Sequence, residues 1–236
     1  MIDSLPSYVQ EVKDESWRGV ITDPSYVFRK EFGFNNLDVR DELSRERSNG
    51  IYLRTNARQT RILRPAEYAL IRAIAPGRIQ MLMDGLLVSG MRYTEFQAFM
   101  KNPSWFDGDF IKIPFDAVRK NFVESVDRFV RLSPWGKQII RQCLSLKINA
   151  PSRQSLDESI KQYAYKCRFN KLGISQKMFR KTWESWLTVT YPNINPAFIL
   201  TSQGHSDYIS LRYYLSLPFT EKDKADMKLY TDGWIT

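Results

Sequence analysis

The stretch "SQGHSDYISLRYYLSL", residues 202 to 217, holds the only histidine of the chain, His205, eight and nine residues ahead of the adjacent tyrosines Tyr213 and Tyr214. An imidazole with an ordinary pKa of ~6.5 can take or share the proton of a tyrosine whose own pKa is ~10. A lone histidine is more often a hydrogen-bonded structural residue. Read as a helix, "DYISLRYYLSL" places Ile209, Tyr213 and Leu217 at i, i+4 and i+8, an apolar stripe that a core would claim. Tyr214 lies about 100° round from it, above Ser210 and free to reach into a basic cleft. Leu211 and Leu215 make a second apolar pair near the Tyr214 side.

Three further features stand upstream. Arg92 follows Gly90 in "SGMRYTEF", Lys120 precedes "DRFVRLS", and Lys177 and Arg180 are three apart in "KMFR". Each has an ordinary reading. Arg92 could pair with Glu95 at i,i+3, worth only ~0.2–0.5 kcal/mol on a helix surface. "KMFR" could be a solvated helix face, and Lys120 a surface lysine. Yet the spacing of Lys177 and Arg180 sets them about 60° apart, away from the large apolar residues Phe179, Trp183 and Trp186, which mark a buried side.

Taken together, "SGMRYTEF", "KMFR", "QGHSD" and a tyrosine nine residues after His205 resemble the tyrosine recombinase (phage-type integrase) family, over roughly residues 60 to 220. "KTWESWL", "QGHSDYISLRYYL" and the lysine at the head of KxxR look more narrowly like integrases of archaeal viruses and plasmids. Lys177 stands where most of the family has histidine. A cation on a long stem there replaces a neutral imidazole, so a general-base role does not carry over.

The resemblance implies an in-line attack of tyrosine oxygen on a DNA phosphate, giving a 3′-phosphotyrosyl bond and a free 5′-hydroxyl without metal, cofactor or ATP. Negative charge then gathers on the phosphoryl oxygens, and guanidinium forks suit it because they hold two oxygens and stay charged. The implied catalytic set is Arg92, Lys120, Lys177, Arg180, His205 and Tyr214. Lys120 would protonate the leaving 5′-oxygen from a hairpin, with Arg119 or Lys112 as alternatives. His205 would bind a phosphoryl oxygen or take the tyrosine proton. Double-stranded DNA attachment sites are the implied partner, with a homotetramer assembled on two sites.

The elements that must position these groups can be read in outline. Pro65 opens a helix in "RPAEYALIRAIA", and "IQMLMDGLLVSG" is apolar almost all round, so it should be central. Asp107-Gly108 within "WFDGDFIKIPF" signals a hairpin, and "RFVRL" reads as a half-buried strand. Ser133-Pro134, Ser175 and Asn195-Pro196 start later helices. The predicted fold is mainly α with a small three-stranded antiparallel sheet, the tyrosine recombinase catalytic-domain fold. Residues 1–60 would form a short helical, basic segment, with "YVFRKEF" and "LDVRDELSRER" helical; 61–220 the catalytic domain; 221–236 a tail. That tail would pack on its own subunit, pack on a neighbour, or fray.

The chain has 236 residues and a net charge of +9. Residues 1–65 hold 11 basic and 10 acidic residues against 24 and 16 in the remainder, so the positive field belongs to the later part. Such a field favours a polyanionic partner. Between Arg45 and Arg64 six arginines face one glutamate, and Arg54, Arg58, Arg61 and Arg64, with Arg119 and Lys181, form the expected DNA-contact set. Cys143 and Cys167 lack paired metal-site spacing and read as reduced thiols. The N-terminus has neither the basic start nor the apolar run of a secretion signal, which predicts a protein kept in the cytoplasm, at the host nucleoid. Two other classes fit the charge: a DNA-binding protein on the same fold without cleavage, and a basic helical regulator.

Overall fold

The computed structural model describes residues 60–115, 127–169, 173–204 and 219–235. Outside them lie the N-terminal segment with Arg54 and Arg58, the interval with Arg119 and Lys120, and the stretch with His205, Tyr213 and Tyr214.

Helix α1, Pro65–Ile74, begins at the proline, and the Glu67 carboxylate accepts from the Arg64 amide at 3.1 Å. Helix α2, Gly77–Ser89, is buried along nearly its whole length, as its apolar circumference predicts. Buried Asp84 joins the two: it accepts from the Tyr68 hydroxyl and from Arg72 Nε at 2.8 Å. Helix α2 ends at Gly90, in the left-handed conformation with φ 57°, and α3, Tyr93–Lys101, starts two residues on with Arg92 as its N-cap.

After a 3-10 turn at Pro103–Trp105 comes β1, Phe110–Ile113, antiparallel to β2, Arg128–Arg131. Among the described residues the sheet has two strands, not the three expected. The residues before Asp107-Gly108 do turn back as a hairpin, with Asp107 Oδ1 accepting from the Asp109 and Phe110 amides at 2.8 and 2.7 Å. Pro103 and its 3-10 turn then reduce the expected first strand to one bridge, Phe106 to Ile111.

Helix α4, Pro134–Ser145, and α7, Pro196–Gln203, carry the predicted caps: Ser133 accepts from Gly136 N at 3.1 Å and Asn195 from Ala197 N at 3.0 Å. Helix α5, Arg153–Lys166, stands where no element was predicted; it buries only Leu156, Ile160 and Ala164. Helix α6, Lys177–Thr190, is capped by Gln176 rather than Ser175. Phe179, Trp183 and Trp186 are buried on it as expected.

Central α2 packs against α4 and α6, and α7 lies against β2 and α6. Helix α8, Glu221–Thr231, packs on α6, α1 and α4, where Tyr230, Tyr68 and Trp186 meet with centroids 5.1–6.1 Å apart. Beyond it Trp234 is 1% exposed, and its Nε1 donates to the Arg131 carbonyl at 3.1 Å. Met227, Tyr230 and Trp234 therefore join the same buried core as the preceding helices. Among the described residues no helix is long and apolar enough to cross a membrane.

Candidate active site

Helix α7 ends where Gly204 takes the left-handed cap conformation, φ 63°. The last carbonyls of a helix have no partner within it and carry partial negative charge. Here they receive guanidinium groups. Arg180, from the first turn of α6, donates through Nη2 to the Gln203 carbonyl and through Nη1 to the Gly90 carbonyl at 3.1 Å. Arg128, from β2, donates through Nη1 to the same Gln203 carbonyl at 2.5 Å. Arg92 Nη2 donates to the Gly204 carbonyl at 3.1 Å.

One carboxylate orients two of the three. Glu95 Oε1 accepts from Arg92 Nη1 at 2.7 Å, and Oε2 accepts from the Arg92 amide at 2.8 Å and from Arg128 Nη2 at 2.6 Å. The i,i+3 pair of Arg92 and Glu95 thus exists, but as one edge of a network. Burial opposes charge on Glu95; Arg128, Arg92 and Arg180 outweigh it and hold the carboxyl below its usual range. Burial also pushes Arg180 down to about 9, aided by Arg92 and Arg128 and opposed by Glu95 and Glu184. Arg128 is lowered in the same way, chiefly by burial, with Glu95 opposing and Arg92 adding to it. Three arginines share the charge of Glu95, while Glu184 is paired with Lys181, which leaves a local excess of positive charge, and the half-exposed Arg92 side chain presents it to solvent. Such a cluster suits an anion with several oxygens.

Glycine is required at two points. A Cβ on Gly204 would stand 2.3 Å from Arg128 Nη1, and one on Gly90 would stand 2.3 Å from Gln203 Nε2. Both positions also have positive φ, which L side chains adopt at a cost. Gln203 is 1% exposed, and its carboxamide nitrogen and oxygen have no hydrogen-bond partner among the described residues.

The structure brings Arg92 and Arg180 together and sets Lys177 one turn before Arg180. Lys177 is exposed, whereas Arg180 is buried, so the two do not share a solvated face. The expected DNA-contact residues fare differently. Arg64 is 5% exposed and binds Asp223 through Nε at 2.9 and 3.0 Å, so it ties α8 to the start of α1. Arg61 pairs with Glu67 and lies 5.3 Å from the centroid of the Phe169 ring. Lys181 pairs with buried Glu184 at 3.1 Å. Lys112, the alternative proton donor, is half-exposed on β1 and pairs with Asp127 at 2.8 Å.

Arg128 and Glu95 were not singled out as site residues. The signal for Arg128 is strand parity: it stands two residues before buried Val130, on the inward face, where a cation must meet a partner.

No protein-family model and no curated protein matches the chain. Solved structures do. A lambda integrase (75–356) dimer bound to a COC′ core site is similar with a TM-score of 0.52 at 15% identity, over 91% of this chain and 78% of that one. XerA recombinase gives 0.49 at 13%, over 94% and 95%. XerH site-specific recombinase bound to difH substrate gives 0.44 at 13%, over 67% and 49%. At such identity the first likeness speaks for architecture: the helical assembly with its small antiparallel sheet is the fold of the lambda integrase structure.

Proposed function

We propose that this chain is a tyrosine-type site-specific DNA recombinase, cleaving and rejoining double-stranded DNA through a phosphotyrosyl bond to Tyr214. The observation that carries this reading is the convergence of Arg92, Arg128 and Arg180, from three separate elements, on the helix end that leads directly into His205. Its support is the fold of the lambda integrase structure together with the order of motifs in the sequence.

In the reaction the Tyr214 oxygen bonds to phosphorus as the bond to the 5′-oxygen breaks. The tyrosine proton passes to His205 and Lys120 protonates the leaving oxygen. Arg92 and Arg180 neutralise the phosphoryl oxygens, and Lys177 adds a phosphate contact. The phosphotyrosyl bond keeps the energy of the phosphodiester, so rejoining needs no ATP. Four strands exchanged between two attachment sites call for a tetramer on DNA. The archaeal-type motifs favour integration or excision of a viral or plasmid genome in a host nucleoid.

The test needs no target sequence. Supercoiled plasmid is incubated with protein without magnesium, stopped with detergent, and examined for relaxed circles and protein-linked nicks. Activity in the wild type and Tyr213→Phe but not Tyr214→Phe is expected. Loss in Tyr213→Phe alone would move the nucleophile to Tyr213, and DNA binding without any covalent product would favour a non-cleaving DNA-binding protein on this fold.

A further inference from the structure

We infer that Arg128 is a positioning residue, holding Glu95 and the Gln203 carbonyl and through them setting where the Arg92 and Arg180 guanidinium groups stand. The inference rests on the recombinase reading for its catalytic consequence and on geometry for the positioning itself. Arg128 shares Glu95 with Arg92 and shares the Gln203 carbonyl with Arg180. Its side chain is 13% exposed against 51% for Arg92, so Arg128 lies deeper than the arginine that faces solvent.

The fixture is stiff. Arg128 lies on a strand paired in register with β1, opposite Ile113, and the space beside it is closed, since a Cβ on Gly204 would overlap Nη1, Cδ and Cζ at 2.3–3.0 Å. Its two bonds leave from different nitrogens of one planar fork, Nη1 to the carbonyl and Nη2 to the carboxylate. A lysine ammonium keeps the charge but not the fork, so it can serve one link well and not both.

Arg128→Lys is therefore the informative variant. At saturating DNA its rate of covalent attachment should fall at least ~10-fold, since small misplacements of reacting groups are worth up to ~100-fold. Affinity for DNA should stay within about twofold, because the charge is retained. Glu95→Gln should fall similarly, and the double variant should be little worse than either, because both break one device. Hydrogen exchange at the Gly204 amide should quicken in Arg128→Lys while the α2 amides stay protected. Equal loss of rate and affinity, or additive losses in the double variant, would overturn the positioning role. Unchanged exchange at Gly204 would remove the inference alone. A wild type that forms no covalent product removes the recombinase reading and the catalytic consequence together, and the exchange result then decides whether Arg128 fixes the end of α7.

Discussion

Arg128 on β2 and Arg180 on α6 donate to one acceptor, the backbone carbonyl of Gln203. Two guanidinium groups on a single neutral oxygen, both largely buried, are a crowded arrangement that a multivalent anion would relieve. Arg92 joins them through Glu95 and Gly204.

An oxyanion should therefore stabilise the fold. Sulfate or inorganic phosphate should raise the thermal midpoint above that in chloride at equal ionic strength. The gain would reach ~2.7 kcal/mol at one hundred times the dissociation constant. Arg92→Gln, which leaves the two buried arginines in place, should lose most of the gain. Equal midpoints in sulfate and chloride would count against an anion site.

The acid limb of stability should report Glu95. Its folded pKa lies below the ordinary value of ~4.3, so its contribution is fully present above that value and is lost as pH falls through the folded pKa. Removing the shared carboxylate at neutral pH takes away the partner of largely buried Arg128 and costs roughly 3–5 kcal/mol. Urea unfolding of wild type and Glu95→Gln should differ by that order at pH 7 and converge as the pH falls through the lowered folded pKa of Glu95. A gap that persists at low pH would assign the cost to packing.

Gly90 and Gln203 should be coupled. Gly90→Ala forces a left-handed alanine, at roughly 1–2 kcal/mol, and drives a methyl into the Gln203 carboxamide. Gln203→Ala removes that overlap but not the backbone strain, so it should recover part of the loss. Chemical denaturation of both single variants and the double variant measures the coupling, and simple additivity would show that the carboxamide yields freely.

What could be read from the chain alone was local. Ser133-Pro134 and Asn195-Pro196 announce their helices because cap and first turn sit side by side, and Phe179, Trp183 and Trp186 mark a buried face by spacing. Arg92 and Arg180 were singled out through motif resemblance. Arg128 was not, because its importance lies in two partners, Glu95 and Gln203, that only the folded chain brings near. The pairing of Arg64 was hidden for the same reason: its charge fits a basic connector, and its partner Asp223 lies 159 residues away. Helix α5 escaped because Leu156, Ile160 and Ala164 make a narrow stripe on an otherwise charged surface.

The C-terminal segment gives the last prediction. Helix α8 is tied into its own subunit by Arg64 with Asp223, by the Ser133 hydroxyl on the Tyr230 carbonyl at 2.6 Å, and by Tyr191 on the Thr231 carbonyl at 2.6 Å. Trp234 then fills a buried site below the sheet end at Arg131. Trp234→Ala should cost about 3–5 kcal/mol, as for other buried aromatic truncations, and Asp223→Asn a similar amount by removing the carboxylate that pairs with buried Arg64. Because these contacts lie within one chain, the unfolding midpoint should not move when the protein is diluted a hundredfold, in the wild type or either variant. A midpoint that falls on dilution would mean that folding is coupled to association with a second copy in solution, exchange of this helix being one route.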